Sequence, residues 1–252
     1  NSMLSYSNGT YVPTDQLALP VASDPLGTFR GYRIFTAMRT VRGRVFHLDD
    51  HLERIFSSAK ALYMQLRETK EELRRIVEET VLRNKAEGDG EFLVKILYSG
   101  GEIGETALAP KGPANLYVIV PPLKLPEEAW YREGIALASF PYQGQLPEIK
   151  LLNYVGGVIA HQTVVKEHKA TDALFVSPND HQTILEGTTF SFFVVKDKVI
   201  ITPPTDGKIL KGITRKVVIG LAHKGEIAVD EDYVSLHELK DVDEAFITSS
   251  TR

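Results

Sequence analysis

Cysteine is absent from this chain of 252 residues. Its absence excludes disulfide bonds, thiolate nucleophiles and zinc or iron–sulfur sites ligated by cysteine. A chain without disulfides suits a reducing compartment, so we expect the protein in the cytoplasm. No apolar run approaches the roughly 20 residues that a membrane span needs, and no charged segment followed by an apolar one begins the chain. We therefore expect neither a membrane partner nor a secretory signal.

The chain has little excess of charge of either sign, since 29 basic residues nearly balance 33 acidic ones and the formal net charge is −4. Binding to nucleic acid generally requires a basic surface, so this balance argues against nucleic acid as a partner. Hydrophobic residues at 43% and charged residues at 25% are typical of a globular protein. The length allows one large domain or two smaller ones.

Turn signals and hydrophobic periodicity divide the first 120 residues into strands and two helices. A helix is expected from about Asp49, where apolar residues recur every three or four positions. A second helix opens with a capping box between Thr69 and Glu72 and ends at Gly88 and Gly90. These elements predict a small α+β domain over residues 1–120. Strands are expected at 32–40, 44–46, 92–98 and 116–120.

Three prolines within residues 121–126 favour an extended, stiff connection, so we place an interdomain linker there. Residues 127–252 alternate between apolar strands and helical patterns and predict a second, larger domain. Strands are expected at 135–140, 172–176, 183–187, 188–195, 199–202 and 244–251, and helices at 155–169 and 213–225.

Lys150 stands out because apolar residues flank it in the sequence. If Ile149, Leu151 and Leu152 bury its ammonium group, the amine loses hydration, its pKa falls and it becomes a nucleophile. From this segment alone, an exposed lysine at a strand end is the preferred interpretation. Only the motifs described below change that preference.

Gly212 and Thr214 lie where a helix is expected to begin. The free backbone N–H groups and the positive dipole end of such a terminus suit a phosphate, although simple capping by Thr214 explains the same residues. Hydroxyl side chains at 248–251, after an apolar strand, could also bind phosphate oxygens.

Five segments occur in the order and at the spacing of a known family, namely His51–Arg54, Lys150–Tyr154, Leu185–Gly187, Leu210–Arg215 and Glu244–Thr251. On these segments the chain resembles the fold-type IV pyridoxal-phosphate enzymes, which include branched-chain and D-amino-acid aminotransferases and aminodeoxychorismate lyase. The resemblance implies an α+β fold with a small N-terminal domain. It also implies a larger, β-barrel-like C-terminal domain with flanking helices.

The resemblance further implies a cofactor, pyridoxal 5′-phosphate (PLP), and a role for each matching residue. Lys150 would form a Schiff base with the cofactor aldehyde and later move a proton. Glu186 would pair with the protonated pyridine nitrogen. Leu210 would pack on the ring, and Tyr154 would support the ring hydroxyl. The phosphate would be held by Arg54, Gly212, Ile213, Thr214 and Ser250.

Substrate contacts are expected from Phe35, Arg39, Lys95 and Thr251. Arg39 is a hypothesis for binding the substrate carboxylate, and an arginine at a strand edge is its open alternative. The chain departs from the branched-chain pattern at Thr36, where that motif has an acidic residue. The family normally continues beyond this serine- and threonine-rich stretch, so we expect a C-terminal element to be missing.

Two histidines, His47 and His51, are four residues apart, a spacing that can bind a metal on a helix. No glutamate lies between them, and a strand is expected to meet a helix there. We therefore predict no metal site.

The implied chemistry predicts an aminotransferase that moves an amino group from an amino acid, of branched-chain type, to a 2-oxo acid. The resemblance also implies a homodimer. Two alternatives stay open. One is a lyase of the aminodeoxychorismate type, which uses the same lysine and cofactor but releases pyruvate. The other is a non-catalytic module that binds a phosphorylated ligand.

Overall fold

The computed structural model describes residues 3–85 and 90–252, so the helix end predicted at Gly88 lies outside the described residues. The chain divides into two compact units. Unit 1 comprises Asn1–Leu125, Ile149–Leu152 and Thr251, and unit 2 comprises Pro126–Glu148, Asn153–Ser250 and Arg252. Within the described parts of the chain, every helix is too short or too polar to traverse a lipid bilayer.

Unit 1 combines one principal sheet with helices. Its strands are β1 (Leu4–Ser7), β2 (Thr10–Pro13), β3 (Arg33–Val41), β4 (Arg44–Val45), β5 (Leu93–Ser99), β6 (Glu102–Ile103), β7 (Pro110–Lys111) and β8 (Asn115–Ile119). Its helices are α1 (Pro25–Arg30), α2 (Leu48–Ala61) and α3 (Lys70–Lys85), with a 3₁₀ turn at Thr14–Gln16. Six strands form an antiparallel sheet in the order β2-β1-β8-β5-β3-β4. The expected strand at 116–120 is confirmed inside this sheet.

The alternation of buried and partly exposed residues along β3 decides which face of the sheet carries the core. Ile34 and Met38 are fully buried and pack in one hydrophobic cluster with residues of α2 and α3. Because side chains alternate across a strand, Phe35 and Arg39 lie on the opposite face. The core is therefore on the helix side of the sheet, and the other side of β3 carries candidate site residues.

The capping box at the start of α3 is confirmed. The Thr69 backbone N–H donates to Glu72 Oε2 at 2.8 Å, and the Glu72 N–H donates to Thr69 Oγ1 at 3.2 Å. Two amides that the helix leaves without partners are satisfied reciprocally in this way.

The β1–β2 hairpin was not predicted, although the chain carries a strong signal for it. Asn8 and Gly9 connect the strands with φ angles of 43° and 110°. Asn-Gly is a preferred pair for a two-residue hairpin turn, because both residues tolerate positive φ.

Residues 121–123 continue alongside β5. The Leu93 N–H donates to the Pro121 carbonyl at 2.9 Å, and the Leu123 N–H donates to the Glu91 carbonyl at 2.8 Å. These backbone bonds belong to unit 1, whose first segment ends at Leu125.

Unit 2 contains two small sheets with helices. Its strands are β9 (Leu137–Pro141), β10 (Asp172–Val176), β11 (Ile184–Gly187), β12 (Ser191–Lys196), β13 (Val199–Thr202), β14 (Val229–Glu231) and β15 (Glu244–Thr248). Its helices are α4 (Glu128–Glu133), α5 (Val155–His168) and α6 (Ile213–Lys224), with a 3₁₀ segment at Leu236–Asp241.

The predicted α+β class is confirmed, but the expected barrel-like arrangement is corrected in one respect. Over residues 126–148 and 153–250, the strands form separate sheets, β11-β10-β9 and β14-β13-β12-β15, rather than a closed barrel. Strands β11 and β12 are consecutive but lie in different sheets. A tight turn separates them, in which the Gly187 N–H donates to the Phe190 carbonyl at 2.8 Å.

The hairpin predicted between β12 and β13 is confirmed, with Lys196 opposite Val199. Asp197 and Lys198 form its turn with φ angles of 50° and 64°. A turn with two successive residues of positive φ has a twist that matches the right-handed twist of the flanking strands.

Asp24 is the buried carboxylate that ties together three parts of unit 1. Its side chain accepts hydrogen bonds from the Gly27 N–H at 3.1 Å, from the Gly101 N–H at 2.6 Å and from the Ser99 hydroxyl. Arg33 Nη2 lies 3.6 Å from Asp24 Oδ2 and supplies the opposite charge.

We expect Asp24→Ala to lower the free energy of unfolding by about 3 kcal/mol or more, because it leaves buried donors and a guanidinium without their acceptor. Urea unfolding followed by circular dichroism measures the change. The exposed Asp15 offers a matched control, and Asp15→Ala should change stability by less than about 0.5 kcal/mol. Equal effects of the two substitutions would contradict this account.

Candidate active site

Lys150 is held by a short extended segment that pairs with β3. The Phe35 N–H donates to the Lys150 carbonyl at 3.1 Å, and the Leu152 N–H donates to the Arg33 carbonyl at 3.2 Å. Leu151 forms an antiparallel bridge with Ile34. The backbone of Lys150 is therefore fixed beside β3, although the two segments are more than 100 residues apart in the sequence.

The surroundings of Lys150 are partly those predicted. Ile149 and Leu151 pack against the core of unit 1, whereas Leu152 is 41% exposed, so its expected part in burying the amine is wrong. The Lys150 side chain is half-buried, and its Nζ lies 4.7 Å from the centre of the Phe35 ring. A cation over an aromatic face is stabilised by the ring quadrupole, so Phe35 helps to hold the amine in place.

Arg54 lies in α2, on the helix side of the sheet. Its side chain is half-buried, and its Nη2 donates to Thr36 Oγ1 at 3.0 Å. The same hydroxyl lies 2.8 Å from His51 Nδ1. Arg54 is therefore anchored to the sheet.

His51, close to Arg54, is a strongly perturbed titratable group. Burial, together with the positive charges of Arg54 and Lys150, lowers the pKa of His51 from 6.5 to about 3. The imidazole is consequently neutral at physiological pH. The other histidine of the predicted pair, His47, contacts Asp50, and its Nδ1 lies 2.9 Å from Asp50 Oδ2.

Three predicted substrate residues share one face of the unit 1 sheet. Phe35 and Arg39 lie two positions on either side of Ala37, and Lys95 on β5 is the partner of Ala37 in the strand register. The Nε of Arg39 is buried and makes no hydrogen bond to the described residues. Thr251 also belongs to unit 1.

In unit 2, the Glu186 carboxylate is placed at β11 and is tied to the loop before α6. Glu186 Oε2 accepts a hydrogen bond from the Leu210 N–H at 3.1 Å. Both residues are half-buried. Two residues that are 24 positions apart, and that the sequence assigned to one cofactor, are thus in direct contact.

The residues of unit 2 that the sequence predicts to hold a phosphate lie at or beside the start of α6. Gly212 is the residue before this helix, and a Cβ added to it would lie 2.7 Å from Ser191 Oγ, so a side chain at this position would have to displace the Ser191 hydroxyl. Ile213 is buried, and Thr214 Oγ1 lies 3.4 Å from Ser250 Oγ. Two hydroxyls therefore lie together beside the positive end of a helix dipole.

Sequence reasoning missed one buried network of unit 2. Asp172 accepts hydrogen bonds from Thr188 Oγ1 at 2.8 Å and from Arg252 Nη2 at 3.0 Å. Arg252 also lies over the Phe190 ring, 5.5 Å from its centre. The position of Asp172 at the start of an apolar strand was visible in the sequence, but its partners are 16 and 80 residues away.

Tyr154, predicted to contact the cofactor, is the residue before α5.

Comparisons with known proteins identify the class of enzyme. Residues 33–252 match the family described as "Amino-transferase class IV". A Methanocaldococcus jannaschii protein with the provisional name branched-chain-amino-acid aminotransferase is 33% identical over 253 residues, covering 98% of this chain and 84% of that protein. The D-alanine aminotransferase of Listeria monocytogenes serotype 1/2a (strain 10403S) is 27% identical over 228 residues, covering 88% and 77%.

A solved structure agrees with this match. The T.th. branched-chain amino acid aminotransferase, complexed with N-(5′-phosphopyridoxyl)-L-glutamate, superposes with a TM-score of 0.84 at 27% identity, covering 100% of this chain and 83% of that chain. The fold and the matched residues define an aminotransferase. The chain belongs to the class IV aminotransferase family, whose members use PLP.

We predict that His51 makes the free energy of unfolding depend on pH. The unfolded chain binds the histidine proton with a pKa of 6.5 and the folded chain only near 3, so the unfolded state holds more protons between these values. Stability should therefore fall as the pH is lowered from about 6.5, by about 1.4 kcal/mol per pH unit once the unfolded histidine is protonated.

Urea unfolding between about pH 5 and pH 7 tests this dependence, because most carboxylates are still ionised there. His51→Asn should flatten the dependence, whereas His223→Asn, at an exposed histidine of α6, should leave it unchanged. A slope that survives the His51 substitution would assign the effect to other groups.

Proposed function

We propose that this chain is a PLP-dependent aminotransferase for an amino acid with a branched or other apolar side chain, with Lys150 as its catalytic residue. The observation that carries the proposal is the class IV match over residues 33–252, which includes Lys150, Glu186 and Arg54. The relative that is 33% identical and the solved structure at 27% identity support the branched-chain substrate.

The chemistry of the side chains fits PLP. Glu186 is a half-buried carboxylate and suits a protonated pyridine nitrogen. Arg54 carries a fixed positive charge, and Gly212, Thr214 and Ser250 offer amide and hydroxyl donors at a helix terminus, all of which suit a phosphate dianion. Lys150 supplies the primary amine that an aldehyde requires.

Each residue then has a definite task. PLP, when bound, supplies an aldehyde and an electron-withdrawing ring, which allow an amino group to be stored between two substrates. Lys150 Nζ would bind the aldehyde carbon and afterwards take and return the substrate proton. Glu186 would keep the pyridine nitrogen protonated. Leu210 would pack on the ring, and Tyr154 would support its hydroxyl.

Arg39 is proposed to bind the substrate carboxylate. Its buried Nε makes no hydrogen bond to the described residues, and a buried donor is costly unless a partner satisfies it. A carboxylate matches the planar guanidinium with two parallel hydrogen bonds. Phe35 would contact the apolar side chain of the substrate, while Lys95 and Thr251 would complete the polar contacts.

The assembly is proposed to be a homodimer. The exposed side of α5 is apolar, with Val155 67%, Val158 59% and Ile159 54% exposed. These residues recur at three- and four-residue steps and form one face of the helix. A second copy of this chain would remove that face from water. A reducing cytoplasm is the proposed location, supported by the absence of cysteine.

We expect the purified chain to be yellow with bound PLP and to lose that colour when an apolar amino acid is added without an acceptor. A 2-oxo acid should then restore it. Lys150→Ala should lower the rate of amino transfer about 10²- to 10⁴-fold, because the variant lacks the amine that transfers the proton. Keto-acid release, measured over a panel of donors and acceptors, gives both rate and specificity.

The exposed Lys60 provides the matched control, and Lys60→Ala should retain wild-type activity. Pyruvate released from aminodeoxychorismate, without amino transfer, would instead favour a lyase. A chain that stays colourless and inactive with added PLP would contradict the proposal.

For the homodimer, we expect Val158→Glu to shift the mass measured by light scattering from that of two chains toward that of one. In a dimer the charge of the new glutamate would be buried between the two chains, which costs considerable free energy. Leu82→Glu, at a leucine that is 60% exposed on α3, makes the same chemical change elsewhere and should leave the mass unchanged. A wild-type chain that is monomeric would refute this part of the proposal.

A further inference from the structure

Thr36 and His51 have no task in the proposed reaction, yet they form a hydrogen-bonded cluster with Arg54. Thr36 is fully buried on the core side of β3, and His51 is 1% exposed in the first turn of α2. The Thr36 hydroxyl lies 2.8 Å from His51 Nδ1 and 3.0 Å from Arg54 Nη2. One buried hydroxyl thus connects a histidine with an arginine.

The direction of the two hydrogen bonds follows from the chemistry of the partners. A guanidinium can only donate, so Thr36 Oγ1 accepts from Arg54. Of the two groups in contact with the hydroxyl, only His51 Nδ1 can accept its hydrogen. This arrangement satisfies the hydroxyl as donor and as acceptor, and it places the imidazole proton on Nε2.

The charge of the cluster supports this direction. Burial and the adjacent Arg54 keep His51 neutral, and a neutral imidazole has one nitrogen that accepts. A second positive charge next to the guanidinium is thereby avoided. The arrangement therefore fixes the arginine side chain without altering its charge.

We propose that Thr36 and His51 are positioning residues that hold the Arg54 guanidinium in the orientation that binds the phosphate of PLP, an inference that rests on the proposed function. A guanidinium on a long, flexible side chain loses rotamer freedom when it binds a phosphate. Hydrogen bonds that fix it beforehand reduce that loss, so the cluster raises the affinity for phosphate.

The test compares PLP with pyridoxal, which has the aldehyde and ring but no phosphate. Both are titrated into the full chain after removal of its cofactor, and binding is followed by absorbance. Thr36→Val and His51→Leu each break the hydrogen-bonded connection. Each should weaken PLP binding about 5- to 20-fold and leave pyridoxal binding within about twofold, since pyridoxal has no group for Arg54.

Two conservative variants serve as matched controls. Thr36→Ser keeps the hydroxyl, and His51→Asn keeps an acceptor near the position of Nδ1. Both should retain PLP affinity within about threefold. In an Arg54→Gln background, Thr36→Val should have no further effect on PLP binding, because the cluster acts only through Arg54.

The outcomes separate this inference from the proposed function. A wild-type chain that does not bind PLP overturns both. A wild-type chain that binds PLP, with Thr36→Val and His51→Leu equally tight, overturns the positioning role alone. Equal losses of PLP and pyridoxal affinity would show a merely structural role and also overturn it. Should His51→Leu not fold, Thr36→Val, which replaces a hydroxyl by a methyl group of similar size, decides the question.

Discussion

The placement of Lys150, the proposed catalytic residue, depends on the pairing of residues 149–152 with β3. Backbone hydrogen bonds to β3 at Lys150 and Leu152 fix its position, and the apolar neighbours Ile149 and Leu151 anchor the segment in the core of unit 1. The lysine side chain then lies over the Phe35 ring. The backbone pairing and the aromatic face both restrict the position of this long, flexible side chain.

Electrostatic character differs between the two groups of candidate residues. Unit 1 contributes the cations Lys150 and Arg54 and a histidine that burial keeps neutral. Unit 2 contributes the carboxylate of Glu186 and the amide-rich start of α6. PLP carries an electrophilic aldehyde, an anionic phosphate and a basic ring nitrogen, and under the proposed function these groups call for an amine, for cationic and N–H donors, and for a carboxylate.

Local patterns predicted much of the fold where the stabilising contacts are themselves local. The α3 capping box and the turn at Asp197 and Lys198 each involve residues no more than three positions apart, and both were found as expected. The β1–β2 hairpin also carried a local signal at Asn8 and Gly9, although it was not predicted. The barrel-like expectation came from family resemblance, whereas in the structure β11 and β12 lie in different sheets on either side of the turn at Gly187.

By itself, the sequence determined the class of chemistry, because a lysine, a glutamate and a glycine-led helix start occur in the order of the class IV family. It also determined the absence of thiol chemistry. Only the tertiary structure decided that Lys150 lies beside Phe35, that Glu186 contacts the Leu210 amide and that a buried hydroxyl links His51 to Arg54. These contacts join residues from 15 to more than 100 positions apart, and they form because burial of apolar neighbours brings distant segments together, which no local pattern encodes.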